Sequence, residues 1–347
     1  MAKHTIQQGT IQQAFNLALQ HHAAGRLGEA ERLYREILVR EPNHADGLHH
    51  LGMIAGQAGD NEVALELIGR AIAHKPDYPE AHNNLGNVLK DLGKVEEAIA
   101  SYRRAVALRP NYAQAHSNLG SALNAAGRRS EAIAAERHAI SLDPKDPVAH
   151  FNLGNTLKDL GQLDDALAAY RRAVDLNPDY AEAFYNIGTA QSEKGKLDQT
   201  ITAYRRAIAV KPNYAEAHWN MALALLARGD YQAGFEELEW RWECKALPRK
   251  RHFAQPQWDG SPIEGKTILL HSEQGLGDTI QFIRYAPLVA ERGAKVIVGS
   301  VPELHRLLRG TAGVSHLLEA GEIIPPFDVH CPLMSLPLAF RTTLQTI

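Results

Sequence analysis

Chemistry in this chain is expected at one turn, HSEQGLGD at residues 271–278, which joins a short apolar run to a stretch of helical spacing. Gly275 and Gly277 let the backbone approach a ligand closely, and the helix that follows would offer free N–H groups and the positive end of its dipole to a phosphate. The run is not a dinucleotide fingerprint, because no third glycine follows at the required position. It is not a P-loop either, since GKS or GKT is absent. Asp278 has a plainer reading as an acidic first-turn residue that stabilises the helix.

A second set of polar residues is defined by register. Asn84, Asn118, Asn152, Asn186 and Asn220 recur every 34 residues at the sixth position of a helix, with His50 in the preceding slot. A carboxamide serves both the N–H and the C=O of an extended peptide without reading its side chains, so a ladder of five predicts a peptide groove. The alternative is that these amides bridge neighbouring helices. His82, His116, His150 and His218 recur too, with Phe184 in the fifth slot. Residues one per repeat stand roughly 10 Å apart, the spacing of packed helices, which is too far to share a metal. They are read as packing residues, and no metal or cofactor is expected. The pairs Arg103 and Arg104, Arg171 and Arg172, Arg205 and Arg206 read as a solvated charged face.

The elements that position these residues follow from the same period. In PEAHNNLGNVLKDLGKVEEAIASYRRAVALRPNY, residues 79–112, Gly86, Gly93, Ala98, Ala105 and Pro110 return 34 and 68 residues later. This is the tetratricopeptide helix-turn-helix signature. Gly86 and Ala98 are expected to be small where the two helices cross, Gly93 to stop the first helix, and Pro110 to close the second. Units begin near Ile11, Ala45, Pro79, Ala113, Pro147, Ala181 and Ala215, each burying its apolar face against its neighbours. The end units are irregular: Ala18 replaces a glycine in the first, and Ala222 and Gly234 depart from the pattern in the seventh. The fourth carries Glu136 where Tyr102, Tyr170 and Tyr204 stand in others, which predicts weaker packing there.

The expected plan is a tail at 1–10, seven repeats at 11–248, a linker at 249–265 and a second domain at 266–347. Phe235, Trp240 and Trp242 would seal the array and dock that domain. Arg249, Lys250, Arg251 and His252 read as a solvated basic stretch rather than an anion site. After Gly265, apolar runs at 267–271, 295–298, 314–318 and 326–331 alternate with helical spacing. That order predicts a parallel sheet with covering helices, a partial Rossmann-like α/β domain after a mainly α solenoid.

Composition sets outer bounds. The 347 residues, 45% hydrophobic and 22% charged with a formal net charge of −3, give no reason to expect nucleic acid. Cys244 and Cys331 lie far apart, which fits a reducing compartment. No secretion signal or membrane-spanning run is legible, so the expected location is the cytoplasm.

The asparagine ladder and unit endings such as RRAVALRPNY resemble the superhelical repeats of protein O-GlcNAc transferases. The resemblance implies a groove in which those five asparagines hold protein substrates. WDGSP, EQGLGDTIQFIRYAP and PPFDVHCPLMSLPLAF resemble the lipopolysaccharide heptosyltransferase family of GT-B glycosyltransferases. That implies Asp278 as the base on an acceptor hydroxyl, Gly275 and Gly277 as room for the phosphates of a nucleotide-sugar donor, and Glu273 and His271 as supporting or alternative bases. Residues 266–347 have room for three or four strands, one wall of a two-domain cleft. The chain is therefore expected to be part of a longer enzyme, to bind protein rather than transfer sugar, and to leave Leu333, Leu336, Leu338 and Phe340 without partners. A non-catalytic scaffold with a Rossmann-like cap is the alternative.

Overall fold

The computed structural model describes residues 11–247, 250–273, 275–319 and 321–346. The expected tail at 1–10 and Arg249 of the basic stretch lie outside the described residues. The chain divides into two compact units, Met1–Pro178 and Asp179–Ile347.

The first unit holds five helix pairs: α1 (Ile11–Ala23) with α2 (Leu27–Arg40), α3 (Ala45–Gln57) with α4 (Asn61–His74), α5 (Pro79–Asp91) with α6 (Val95–Leu108), α7 (Ala113–Ala125) with α8 (Arg129–Leu142), and α9 (Pro147–Asp159) with α10 (Leu163–Leu176). First helices begin at the residues the 34-residue period predicts. Gly93 ends its helix at φ +75°, a conformation side chains resist, and Gly127 and Gly161 repeat it. The reason for Gly86 differs from the expected one. A Cβ built there would lie 2.5 Å from the Tyr102 ring, and at Gly154 the same distance from Tyr170, so each glycine is a notch for the tyrosine of the second helix, not for Ala98. The buried tyrosines then hydrogen-bond the residue after the notch, Tyr102 to Asn87 at 2.7 Å and Tyr170 to Asn155 at 2.8 Å.

The recurrent histidines have a structural explanation. His82, His116 and His150 each place Nε2 at 2.9–3.1 Å from the carbonyl of the proline six residues upstream. They satisfy a carbonyl that the end of the preceding helix leaves open. Arg103 and Arg104 pair with Glu131 and Asp77 on the surface, as a charged face should.

Glu136 fills the notch of Gly120 and is fully buried. Its Oε1 accepts from Thr156 at 2.9 Å, whereas its Oε2 has no partner. Burial pushes the carboxyl up to about 7. A folded-state value above the unfolded one means the contribution is favourable below about 4.5 and is lost as pH rises through 7. Glu136→Gln is therefore expected to match the parent at pH 4.5 and to exceed it by about 2 kcal/mol at pH 8, measured by denaturant unfolding at both values.

The second unit continues with α11 (Ala181–Glu193), α12 (Leu197–Val210), α13 (Ala215–Arg228) and α14 (Tyr231–Leu238), then a 3-10 turn at Glu239–Glu243. The remainder alternates β1 (Thr267–His271), α15 (Leu276–Phe282), α16 (Ala286–Glu291), β2 (Lys295–Gly299), α17 (Pro302–Leu308), β3 (Val314–Leu317), β4 (Val329–Pro332) and α18 (Leu336–Ala339). The four strands form one parallel sheet in the order β3-β2-β1-β4. Ile268, Leu270, Val296, Val298, Val329 and Cys331 supply one face of a core completed by Phe282, Tyr285 and Val289 and by Ala222, Phe235 and Leu238 from the repeats. On the other face Leu269 and Ile297 pack with Leu318, Phe253 and Phe327.

Two expectations are corrected here. The stretch expected to be a linker is partly docked: Trp258 is buried, its backbone N–H donates to the His330 carbonyl at 2.7 Å, and the His330 backbone N–H donates to the Pro256 carbonyl, which covers the β4 edge. Leu333 and Leu336 are buried in the core, and Leu338 and Phe340 pack against it, because helices α14 and α15 close over the chain after β4. They are not an orphan surface.

Candidate functional site

The ladder asparagines are all half-buried on first helices, and Asn84, Asn118, Asn152 and Asn220 each have a first duty between repeats. Asn84 Nδ2 bonds His49 Nε2 at 2.9 Å, Asn118 Nδ2 donates to Asn83 Oδ1 at 3.0 Å, and Asn152 Nδ2 donates to Ser117 Oγ at 3.1 Å. In the second unit Asn220 Nδ2 donates to the Tyr185 hydroxyl at 2.9 Å. Every one of these bonds spans 35 residues, from the sixth position of one first helix to the fifth of the preceding one. Asn186 also interacts with a neighbour. The bridging alternative is thus part of the answer, and it orients the amides. With Nδ2 turned to the neighbouring helix, the Oδ1 atoms of Asn118, Asn152 and Asn220 have no protein partner among the described residues.

The fifth-position residues were not singled out from the sequence. His49, Asn83 and Ser117 are buried, which their polarity alone would not suggest. The available signal was a polar residue directly before the ladder asparagine. Asn84 also lines a recess of about 740 Å3 with His49, His50, Met53, Lys75 and Tyr78. Lys75 there is paired with Asp46 and stacked on Tyr78.

At the strand ends the candidates separate. Asp278 is half-exposed, and Gly275 and Gly277 are exposed. Neither glycine has a positive φ, and a Cβ added at either would meet nothing closer than Asp278 Oδ2 at 4.0 Å. Glu273 instead points inward, with its side chain 2% exposed. It accepts from Arg241 Nε at 2.7 Å and Nη2 at 3.1 Å. Arg241 is wholly buried and donates also to Glu239, Ser335 and the Leu238 carbonyl, so all five guanidinium N–H groups are used. Burial pushes the Glu273 carboxyl up, opposed by the guanidinium beside it. The role of alternative base does not fit a carboxylate locked in a forked ion pair.

His271 is buried at the end of β1, with Nε2 at 3.2 Å from His330 Nδ1 and its ring beside Phe253. Burial, then the charges of His330 and Arg251, lower its affinity for a proton to about 3. That makes it a poor base at neutral pH. Arg241 itself was missed from sequence; its only mark is that Trp240 and Trp242 flank it.

These features define a helix-pair repeat scaffold carrying a small parallel α/β sheet. Family models described as TPR repeat match residues 86–127, 154–195 and 192–229, and models described as Tetratricopeptide repeat match 12–36, 67–100, 113–146 and 137–168. Together they span more than half of the chain, which is a tetratricopeptide-repeat protein. Among solved structures, the APC/C hetero-tetramer Cut9-Hcn1 aligns with a TM-score of 0.59 at 17% identity, over 66% of this chain and 45% of that one. The type IV pilus biogenesis factor PilW aligns with a TM-score of 0.53 at 21% identity, over 58% of this chain and 92% of its own. At these identities the likeness is one of fold. No curated protein matches the chain. Among the described residues no helix is long and apolar enough to cross a membrane, and no group of three or more His, Cys, Asp or Glu side chains could hold a metal.

Proposed function

We propose that the repeats bind extended peptide segments, with the ladder asparagines as carbonyl acceptors for backbone N–H groups. The observation that carries this is the common orientation of Asn118, Asn152 and Asn220, whose donors face the neighbouring helix and whose Oδ1 atoms are unbonded among the described residues. Fixed acceptors roughly 10 Å apart match about every third N–H along an extended backbone. The sequence resemblance to the repeats of protein O-GlcNAc transferases points the same way. Changing Asn118, Asn152 and Asn186 together to alanine is expected to weaken peptide capture at least tenfold, about 1.4 kcal/mol, while costing about 1 kcal/mol of stability per lost bond. Undiminished capture by a folded triple variant would return the ladder to a purely structural role.

A second reading gives the strand-end turn a nucleotide-sugar ligand, as the resemblance to the heptosyltransferase family implies. It is favoured by a parallel sheet whose strand order reverses at β1, where such sheets bind ligands, and by an open glycine turn there beside the half-exposed Asp278. The donor phosphates would lie over Gly275 and Gly277, and Asp278 would be the base. Binding of the donor is the property this reading predicts for the sheet. Calorimetry with uridine, guanosine, adenosine and cytidine diphosphates, on the parent and on Asp278→Ala, tests it. Absence of binding to all four favours a docking or capping sheet. A cytoplasmic setting suits the two buried free thiols, Cys244 and Cys331.

A further inference from the structure

Tyrosines in the notches of the repeats follow a rule with one exception. The hydroxyls of Tyr102 and Tyr170 reach the polar residue fifteen positions earlier, and in the second unit Tyr204 does the same with Thr189 at 3.3 Å. For Tyr34 that position is Leu19, which offers no acceptor. Tyr34 is nonetheless fully buried, and its hydroxyl has no protein partner. Two further buried atoms near it share this condition, Nδ1 of His22 and Nδ1 of His50. The three rings pack against one another: centroids lie 6.2 Å apart for His22 and Tyr34, 5.6 Å for Tyr34 and His50, and 5.9 Å for His22 and His50.

From three unpartnered buried atoms on mutually packed rings we infer that α1, α2 and α3 are joined by a single bound water, held by the Tyr34 hydroxyl, His22 Nδ1 and His50 Nδ1. Three otherwise unsatisfied buried polar atoms are what such a water bonds. The donors and acceptors balance: the tyrosine O–H donates to the water oxygen, and the two water hydrogens go to the two imidazole lone pairs. Both imidazoles then carry their proton on Nε2. No two of the three atoms bond each other, which suits a water between them. Among the described residues no group of three or more His, Cys, Asp or Glu side chains could hold a metal. The neighbouring His49 is not available, since Tyr78 and Asn84 occupy both its nitrogens.

The test compares Tyr34→Phe with Tyr170→Phe, whose hydroxyl has a protein partner. If the water is bound, both variants lose Tm, by about 3 °C each. If the Tyr34 hydroxyl is unsatisfied, Tyr34→Phe holds or raises Tm, and the inference falls. A crystal structure at high resolution is expected to show one water peak within hydrogen-bond reach of all three atoms in the parent, and none in Tyr34→Phe. An empty site, or a Tm rise on adding zinc or copper with an anomalous peak at that point, would equally overturn it.

Discussion

Arg241→Ala is expected to destabilise Asp179–Ile347 by about 3–5 kcal/mol, the largest effect of any single substitution outside the core. Five donors of a wholly buried guanidinium meet two carboxylates, a hydroxyl and a carbonyl. Removing it leaves Glu273 buried and without its countercharge. The stability figure reflects that stranded charge, not the net worth of the pair, so Arg241→Met combined with Glu273→Leu is expected to recover much of the loss. The reporter is built in, because Trp219, Trp240, Trp242 and Trp258 all lie in this unit. Tryptophan fluorescence against denaturant reads the effect directly. A loss below about 1 kcal/mol, the scale of a surface ion pair, would show that the network does not hold the last repeat to the sheet.

Mild acid is expected to loosen the first repeats through His49 and His50. His49 is held down to about 4, chiefly by burial, with opposing help from Glu80 and Asp46. His50 is held down to about 3 by burial and then by the charges of His49 and His22, and burial lowers His22 as well. Around them stand Phe15 of α1, Tyr34 of α2, His44 before α3 and Tyr78 before α5. These are bases with depressed folded-state values, so their contribution is complete above about 6.5 and is lost as pH falls toward 3 to 4. At about 1.4 kcal/mol for each tenfold change in proton affinity, the two imidazoles together cost several kcal/mol to protonate in place. Helical circular dichroism should fall between pH 6 and 4. His50→Asn, which restores the ladder residue, should shift that loss to lower pH while leaving unmoved the acid response of tryptophan fluorescence, which is confined to the second unit where His271 is held down to about 3. A circular dichroism loss that His50→Asn does not move would contradict an acid-labile joint in the first repeats.

Much of the fold was legible because the repeat states its packing in small residues at fixed offsets. Helix starts followed from the period alone, and so did the turns at Gly93, Gly127 and Gly161. What the period does not encode is the partner a side chain meets across a notch. Gly86 answers to Tyr102, and Glu136 takes a tyrosine's place by burying a carboxyl. The ladder was visible as a register, but its donor bonds to the fifth position required the neighbouring helix. Beyond Gly265 the strand alternation was readable, whereas Leu333 and Leu336 were misjudged because their cover comes from α14 and α15. Arg241 could not be found from spacing, since Glu273 and Ser335, two of its partners, lie 32 and 94 residues away.

The direct test of the ladder uses a short unstructured peptide selected from a random library on the immobilised protein, and the same peptide with its backbone nitrogens methylated. If fixed Asn118 and Asn152 carbonyls hold backbone N–H groups, the selected peptide shifts their side-chain amide signals in a saturable NMR titration. The methylated peptide, which has no N–H to donate, then binds at least tenfold more weakly. Equal binding by both peptides, with those two signals unmoved, would contradict the account.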